Sequence, residues 1–165
     1  MASTDWGKRE ICGWIREHFN PGAEILDVGA CDGKWRKMLP EYTMDAVEAF
    51  RPNAERIKPL YRNVYAMDIR DIRMTYGHYD LIIFGDVLEH LQVSEAQAVL
   101  AYAKNKSGDI LIGVPWRYKQ GQLYGNPYEV HIQDDLTPEI FVERYPGFEP
   151  VLMGADYGYY HRRAE

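Results

Sequence analysis

The sequence contains little cysteine and no long apolar run. Cys12 and Cys31 are the only cysteines among 165 residues, with no Cys-x-x-Cys pair. Neither a disulfide framework nor a zinc site is therefore predicted, and two free thiols favour a reducing, cytoplasmic location. No apolar stretch approaches the roughly 20 residues that span a bilayer. Residues 1–5 lead into a charged amphipathic segment, so no signal peptide is expected.

An excess of positive charge is also lacking. The formal net charge is −6 at pH 7, which argues against binding a polyanion by bulk electrostatics. We therefore expect no nucleic-acid partner and no membrane partner. The basic residues between positions 51 and 73 alternate with acids, as is typical of a solvated face; they are Arg51, Arg56, Lys58, Arg62, Arg70 and Arg73.

The chain alternates helical and strand patterns, without an internal repeat. With 46% hydrophobic residues, its 165 residues suit one domain with its own core. Helices are predicted near residues 5–19, 34–39, 52–60, 94–105 and 137–144, with Ser94 and Thr137 as N-caps of the last two. Strands are predicted at residues 42–48, 63–69, 109–115, 148–153 and 157–162. A first strand begins at Glu24, with its apolar run ending at Asp27, and a fourth begins at Tyr79 and opens into a loop within residues 79–91. This alternation predicts a largely parallel sheet whose ligands bind at the carboxyl ends of its strands.

Residues 24–33 combine an apolar strand with a turn of small residues. The apolar run ends near Asp27, and Gly29 and Gly33 bracket a bend that leads into a short helix stopped by Pro40. Glycine adopts positive φ at little cost and leaves no Cβ between backbone and ligand. The turn therefore predicts a nucleotide-type cofactor site.

Spacing separates this turn from two common nucleotide-binding loops. A Gly-x-Gly-x-x-Gly dinucleotide fingerprint would need glycine at Cys31 and Lys34. A Gly-x-x-x-x-Gly-Lys-Ser/Thr phosphate loop needs one more residue between the glycines and a hydroxyl where Trp35 stands. Neither pattern fits.

The turn resembles motif I of the class I S-adenosylmethionine-dependent methyltransferases, usually Asp-x-Gly-x-Gly-x-Gly. Asp27, Gly29 and Gly33 match this motif, and Cys31 replaces its middle glycine. Residues 79–91 resemble motif IV of the same family. The resemblance extends from the first helix to Arg162.

Three further acids follow Asp27 in regular order. Glu48, Asp68 and Asp86 lie at predicted strand ends, 21, 20 and 18 residues after the preceding acid. An acid about 20 residues beyond a glycine turn accepts hydrogen bonds from ribose hydroxyls. Taken singly, Glu48 and Asp68 are more typical of solvated strand ends, and Asp86 would serve as a helix N-cap. Their joint order favours one shared site.

The resemblance implies a role for each of these residues. Glu48 is expected to bind the ribose, Asp68 to accept from the adenine amino group, and Ile69 to cover the adenine ring. The expected cofactor is S-adenosylmethionine. Its expected contacts are Asp27, Gly29, Ala30, Cys31, Gly33, Glu48, Ala49, Asp68, Ile69, Asp86 and Val87.

Candidate groups for acceptor chemistry follow the fourth and fifth predicted strands. They are Asp86, Glu89, His90, Glu129 and His131. Histidine titrates near neutrality and suits proton removal. We predict His131 for acceptor contact or proton removal, with His90 shaping the pocket or taking that role instead. A structural hydrogen-bonding role for either imidazole is the alternative.

A long loop precedes the last predicted helix. Residues 116–135 lack a clean period, and loops of this length in compact domains are often functional. Its aromatic residues either line the acceptor site or pack the loop onto the sheet; they are Trp116, Tyr118, Tyr124 and Tyr128. Oxygen and nitrogen metal ligands are present at Asp86, His90, His131, Asp134 and Asp135. The acidic pattern of the magnesium-dependent catechol-type enzymes is absent, so no metal site is predicted.

The resemblance implies an α/β, Rossmann-like methyltransferase fold. Its seven-stranded sheet is mostly parallel, with an antiparallel C-terminal hairpin and helices on both faces. We expect a single domain over residues 1–165. Residues 1–22 would form an N-terminal helix and turn, residues 23–115 the cofactor-binding half, and residues 116–165 the acceptor-side loop, helix and closing hairpin.

The predicted function is S-adenosylmethionine-dependent O- or N-methylation of a small metabolite or glycan-like acceptor, by a monomer or homodimer. One alternative is a cofactor-binding, non-catalytic or regulatory module of the same fold. A dinucleotide oxidoreductase is a further alternative, although it would require NAD binding despite the missing glycines.

Overall fold

The computed structural model describes residues 4–74 and 77–164. Its α-helices are α1 (Lys8–His18), α2 (Lys34–Met38), α3 (Arg51–Ile57), α4 (Val93–Lys106) and α5 (Pro138–Arg144). Its strands are β1 (Glu24–Val28), β2 (Thr43–Val47), β3 (Val64–Tyr65), β4 (Tyr79–Gly85), β5 (Ser107–Pro115), β6 (Glu149–Met153) and β7 (Tyr157–Arg162). Short 3₁₀ turns lie at Lys58–Leu60, Ile69–Met74, Leu88–His90 and Pro127–Glu129.

The strands form one sheet in the order β3-β2-β1-β4-β5-β7-β6. The first five strands pair in parallel, and β7 pairs antiparallel with β5 and β6. The chain order reverses between β1 and β4, and α/β sheets open a ligand crevice at such a point. The predicted Rossmann-like α/β fold, with its antiparallel hairpin, is confirmed.

Alternate residues of the central strands enter two cores. On one face, Leu26 and Ile82 pack with apolar residues of α4 and α5. On the other, Ile25 and Ile83 pack with residues of α1, α2 and α3. Because helices cover both faces, the centre of β4 is apolar, and β1 is apolar between Glu24 and Val28 apart from the buried Asp27. This explains why their sequences form short continuous apolar runs.

One local expectation was wrong, and one alternative interpretation does not hold. Gln92, and not Ser94, caps α4, because Gln92 and Glu95 form a reciprocal capping box. Asp86 does not cap a helix: the 3₁₀ turn at Leu88–His90 begins after Val87 and has no side-chain cap. Thr137, by contrast, caps α5 as predicted, with its hydroxyl accepting from Ile140 N–H.

Two sequence expectations reach residues outside the described part. The expected absence of a signal peptide concerns residues 1–5, of which residues 1–3 are not described. The side chain of Arg73, one of the basic residues noted above, is also not described. Among the described helices, none combines the length and apolar character needed to cross a bilayer.

Asp45 anchors β2 to its neighbours through a buried carboxylate that pairs with the half-exposed Arg62. Its carboxylate accepts from Arg62, from the Tyr79 hydroxyl at 2.8 Å and from Asn63 N–H at 3.1 Å. Burial alone would raise the pKa of Asp45, but the hydrogen bonds from Arg62 and Tyr79 outweigh it, so the pKa is lowered.

This pair predicts a pH-dependent stability. Since the folded-state pKa of Asp45 lies below an unfolded value of about 3.9, ionised Asp45 contributes stability above about pH 4. That contribution is lost as the pH falls through the folded pKa. Chemical unfolding should therefore show Asp45→Asn to be less stable than wild type at pH 6, with a smaller difference at pH 3. An equal difference at both pH values would contradict this assignment.

Candidate functional site

A cavity of about 430 Å³ opens at the carboxyl ends of β1, β2 and β4. We call it the first cavity. Its volume is in the range of small-molecule and cofactor sites. Eight of the predicted cofactor contacts contribute to its lining: Gly29, Cys31, Glu48, Ala49, Asp68, Ile69, Asp86 and Val87.

The glycine turn after β1 needs glycine for packing as well as for conformation. Gly29 has φ of +69°, and a Cβ on it would lie 2.7 Å from Cγ2 of Val87. Any larger residue would therefore push the turn away from the chain that follows β4. Gly29 thus allows these two segments to meet beside the first cavity.

Cys31 occupies the middle-glycine position in a left-handed conformation, with φ of 53°. Its thiol is part of the cavity lining, and burial, followed by the charge of Glu48, raises its pKa to about 12. The thiol is therefore protonated and unreactive at neutral pH. Its side chain narrows the first cavity but does not close it.

Glu48 is the buried carboxylate of the first cavity, 6% exposed. Its Oε2 accepts from Cys31 N–H at 2.7 Å, and its Oε1 accepts from Phe50 N–H at 2.8 Å. Each carboxylate oxygen has a second acceptor position. Glu48 is thereby fixed by backbone donors with acceptor capacity left for a ligand's hydroxyl groups. Burial raises its pKa, and these two N–H donors oppose the rise.

Asp68 and Ile69 form another side of the first cavity, together with Arg70. Arg70 donates to both carboxylate oxygens of Asp68 and to Glu95 on α4. These hydrogen bonds lower the pKa of Asp68 and fix its orientation. Sequence reasoning placed Arg70 on a solvated face. Its spacing of two residues from Asp68 was the available signal for the pair.

Three predicted cofactor contacts lie behind the cavity wall. Asp27, Ala30 and Gly33 are buried and are not part of the lining. Asp27 accepts from the Tyr61 hydroxyl at 2.6 Å, and burial raises its pKa to about 7. A Cβ on Gly33 would point toward Leu60 and not into the cavity. Asp27, Ala30 and Gly33 therefore support the conformation of the glycine turn from its buried side.

A second cavity of about 380 Å³ adjoins the first. Asp86 and His90 line both, so they mark the junction between them. Aromatic side chains contribute much of its remaining wall: Trp6, Tyr118 and Tyr157. The N-terminal segment helps to form this wall, since Tyr159 donates to the backbone oxygen of Trp6 at 2.9 Å.

Asp86 has a strained backbone and a buried counter-ion. Its φ of 56° is in the left-handed region, which is uncommon for a non-glycine residue. Its Oδ2 lies 3.8 Å from Nζ of Lys8, which is 3% exposed. Burial raises the pKa of Asp86, and the positive charge of Lys8 opposes this. The contribution of Lys8 was not predicted, because an isolated lysine in an amphipathic helix gives no such signal.

His90 and His131 meet in the second cavity, with ring centroids 4.8 Å apart. Burial lowers the pKa of His90 to about 4 and also lowers the pKa of His131. Both imidazoles are therefore neutral at pH 7. Glu89 lies in the same wall, 1% exposed, and burial raises its pKa well above the usual value, with the charge of Asp86 adding to the rise.

The long loop is tied to the 3₁₀ turn by a residue that sequence reasoning missed. Gln133 is 4% exposed and donates to the backbone oxygens of Leu88 and Leu91, each at 2.9 Å. Its own oxygen accepts from the Tyr145 hydroxyl at 2.8 Å. These bonds hold the segment around His131 against His90. A lone glutamine in a polar loop gave no signal of this role.

The loop's aromatic residues are divided among different places. Trp116 packs into the core against Phe141 and Tyr160, as the packing alternative predicts. Tyr118 lines the second cavity, and Tyr128 lines the first. Tyr124 is 83% exposed and borders a third cavity beside Cys31 and Glu129.

The candidate metal ligands are also divided. Asp135 is paired with Arg144. His90, His131 and Glu89 instead form a group whose ligand atoms all lie within 4.8 Å of one another. Glu129 is 8% exposed and borders the first cavity, with hydrogen bonds from Gln120 and Asn126.

Together the two cavities offer a deep polar crevice beside an aromatic pocket. The first has a fixed, buried carboxylate and a glycine turn that permits close approach to the backbone. The second has neutral imidazoles that present a lone pair. Such a pair of sites can hold two small molecules with their reacting ends at Asp86 and His90.

No family model and no curated protein matches the chain by sequence. Solved structures do resemble it. Magnesium protoporphyrin IX methyltransferase (ChlM) from Synechocystis PCC 6803, crystallised with bound SAM, has a TM-score of 0.69 and 13% identity, covering 96% of this chain and 78% of that one. A TehB-like SAM-dependent methyltransferase from Corynebacterium glutamicum has a TM-score of 0.68 and 17% identity, covering 98% and 89%. N-methyltransferase NodS from Bradyrhizobium japonicum has a TM-score of 0.64 and 13% identity, covering 97% and 98%.

These likenesses establish the fold. The chain has the fold of the S-adenosylmethionine-dependent methyltransferases, as the resemblance of its motifs implies. At 13–17% identity the comparison does not extend to an acceptor.

Proposed function

We propose that this chain, which has the methyltransferase fold, binds S-adenosylmethionine in the first cavity and transfers its methyl group to a small molecule in the second. The observation that carries this proposal is Glu48: a buried carboxylate, fixed by two backbone donors, at the end of β2 beside the glycine turn. The relative with bound SAM supports the choice of cofactor.

The residues of the first cavity fit this cofactor chemically. Glu48 has free acceptor positions for two ribose hydroxyls, and Ile69 offers an apolar side for a purine. Asp68, oriented by Arg70, is our proposed acceptor for the adenine amino group. Gly29, Cys31, Ala49, Asp86 and Val87 complete the proposed contacts, while Asp27, Ala30 and Gly33 support the turn from beneath.

When bound, S-adenosylmethionine supplies a methyl group already activated by the sulfonium, so the protein has little covalent chemistry to perform. The protein has to orient the acceptor toward the junction at Asp86 and to accept the proton that the acceptor loses. We propose His131 as the group that contacts the acceptor or takes its proton, with His90 shaping the pocket. Both are neutral at pH 7 and can therefore accept a proton. The aromatic wall favours a flat or partly apolar acceptor.

The division of the chain follows from this assignment. We propose that residues 23–115 hold the cofactor and residues 116–165 the acceptor, with residues 1–22 closing the second cavity through Trp6. We also propose a cytoplasmic location, a small-molecule acceptor and no nucleic-acid partner, in keeping with the net charge of −6.

Replacing Glu48 by glutamine should weaken S-adenosylmethionine binding. An amide has one acceptor oxygen, so either Cys31 N–H or Phe50 N–H would face an NH₂ group, and the ribose would lose a charged acceptor. Losing a hydrogen bond to a charged group corresponds to about a 10- to 100-fold increase in Kd. Isothermal titration calorimetry measures this change. Glu55→Gln, on the exposed side of α3, is the matched control and should bind as wild type does. An unchanged Kd for Glu48→Gln would contradict the ribose contact.

Calorimetry with S-adenosylmethionine and S-adenosylhomocysteine tests cofactor binding, and methyl release over a panel of hydroxyl and amine acceptors tests turnover. The proposal predicts binding of both ligands and methylation of at least one acceptor class. Binding without methyl transfer to any acceptor would favour a non-catalytic module. Binding of NAD in their place would favour an oxidoreductase and contradict the proposal.

A further inference from the structure

The ring orientation of the two histidines in the second cavity is fixed by the backbone. Nδ1 of His90 lies 3.1 Å from the carbonyl oxygen of Val130, and Nδ1 of His131 lies 2.7 Å from that of Tyr118. A carbonyl oxygen only accepts, so Nδ1 of each neutral ring carries the proton. The lone pair is then on Nε2 in both rings. Backbone or carboxylate partners fix metal-binding histidines in this same way.

The third member of the group, Glu89, is buried without a partner. It is 1% exposed, and neither carboxylate oxygen makes a hydrogen bond to any part of the chain that the structure describes. Its Oε1 lies 3.9 Å from Nε2 of His90, so the carboxylate faces the free ring nitrogen. The nearby cation Lys8 is 3.8 Å from Asp86.

This arrangement leaves Glu89 unsatisfied in either protonation state. An ionised carboxylate buried without a counter-charge is costly, because it has lost its water. A protonated carboxyl would bury an O–H that has no hydrogen-bond acceptor among the residues that the structure describes. One cation between Glu89 and the two Nε2 atoms removes both difficulties.

The spacing of the group suits a single ion. One nitrogen of each ring and one carboxylate oxygen of Glu89 lie within 4.8 Å of one another, and the Glu89 oxygen is 3.9 Å from Nε2 of His90. Tetrahedral binding at about 2.0–2.1 Å from the ion separates ligand atoms by about 3.3 Å. Small side-chain rotations are enough to close the difference. The group is in the wall of the second cavity, so the remaining coordination positions face the space proposed for the acceptor.

We propose that Glu89, His90 and His131 bind one divalent transition-metal ion. Two imidazoles and one carboxylate favour Zn²⁺, Fe²⁺, Co²⁺ or Mn²⁺ over Mg²⁺ or Ca²⁺, which prefer all-oxygen sites. Binding of the ion does not depend on the methyltransferase assignment. Its role rests on the proposed function: the ion orients an acceptor that presents an oxygen or nitrogen donor atom. With the ion bound, His131 contacts the acceptor as a ligand of the ion, and without the ion its Nε2 is the proton acceptor of the proposed function.

The sequence analysis expects no metal here, and the reason for the difference is spatial. Glu89 and His90 are adjacent in sequence, but His131 reaches them only because Gln133 ties the loop to the Leu88–His90 turn. Sequence spacing alone does not reveal that contact.

The test is a titration of the EDTA-treated full-length protein with ZnCl₂, and separately with CoCl₂, followed by calorimetry and by visible absorption. We expect one equivalent to bind. Glu89→Gln and His131→Ala should each weaken binding by at least about 100-fold, since replacing a residue that only hydrogen-bonds to a metal ligand already costs 10- to 100-fold. His18→Ala, on the exposed surface of α1, is the matched control and should bind as wild type does. Zn²⁺ should raise the Tm of wild type and leave that of Glu89→Gln unchanged.

Absence of binding, or equal affinity in wild type and Glu89→Gln, would overturn the proposed site. Titrating the same metal-free protein with S-adenosylhomocysteine separates this failure from that of the proposed function. Cofactor binding without metal binding would defeat the metal site alone, and metal binding without cofactor binding would defeat the methyltransferase assignment alone. Turnover should fall on chelation and return when the metal is restored; turnover unaffected by chelation would overturn the ion's role.

Discussion

Replacing His131 by alanine should lower kcat for methyl transfer by about 100- to 10,000-fold, the usual contribution of a group that handles a proton. The Kd for S-adenosylmethionine should stay within about threefold of wild type, because His131 is in the wall of the second cavity and not of the first. Steady-state kinetics with an acceptor identified from the panel, together with calorimetry, measures both values.

The predicted loss of kcat in His131→Ala must come from the missing imidazole and not from a change in the loop's structure. Gln133 and its bonds to Leu88 and Leu91 are independent of His131, so the variant should keep a Tm close to that of wild type. His18→Ala should keep full kcat. If His131→Ala instead lost cofactor binding while remaining folded, its assignment to the acceptor side would be wrong.

Replacing Gly33 by valine should abolish measurable cofactor binding. The backbone there has φ of +77°, which a β-branched residue adopts only with strain, and the new Cβ would lie 2.9 Å from Cδ1 of Leu60. The expected response is a change in the turn, because Gly33 N–H donates to Ala30 O at 2.8 Å. Cys31 would then move from Glu48, and the first cavity would lose its fixed carboxylate. Calorimetry with S-adenosylhomocysteine measures the loss.

Gly22→Val is the matched control for this strain. Gly22 has φ of +85°, but a Cβ there has nothing within 4 Å, and the residue is exposed at the turn before β1. Its variant should lose stability of the order of 1–3 kcal/mol from the backbone alone and still bind the cofactor. If Gly33→Val were folded and bound the cofactor as tightly as Gly22→Val, the glycine turn would have no part in the site.

The sequence was sufficient to predict the sheet because its signals are local. Short apolar runs that end near Asp27, Glu48 and Asp86 identify strand ends, and parallel strands bring those ends to one edge. Four strands that were predicted with both ends lie within two residues of the observed ends: residues 42–48, 109–115, 148–153 and 157–162. The third strand is the exception: the pattern predicts residues 63–69, but Val64–Tyr65 alone pairs with β2, and the chain then leaves the sheet before Asp68.

The features that were not predicted from the sequence depend on contacts between segments that are distant in the chain. Lys8 meets Asp86 across 78 positions, and Gln133 meets Leu88 across 45. Neither Lys8 nor Gln133 belongs to a sequence motif, so residue spacing does not predict either contact. The cap of α4 was missed for a different reason: serine is the more frequent N-cap, but Gln92 gains a reciprocal bond with Glu95 that decides where the helix begins.

The account depends most on the first cavity as a cofactor site, and a crystal structure grown with saturating S-adenosylhomocysteine tests it directly. We expect electron density for the ligand in the first cavity, with both ribose hydroxyls on the Glu48 carboxylate and the adenine beside Asp68 and Ile69. A well-ordered crystal with that cavity empty, or with the ligand bound elsewhere, would contradict the account.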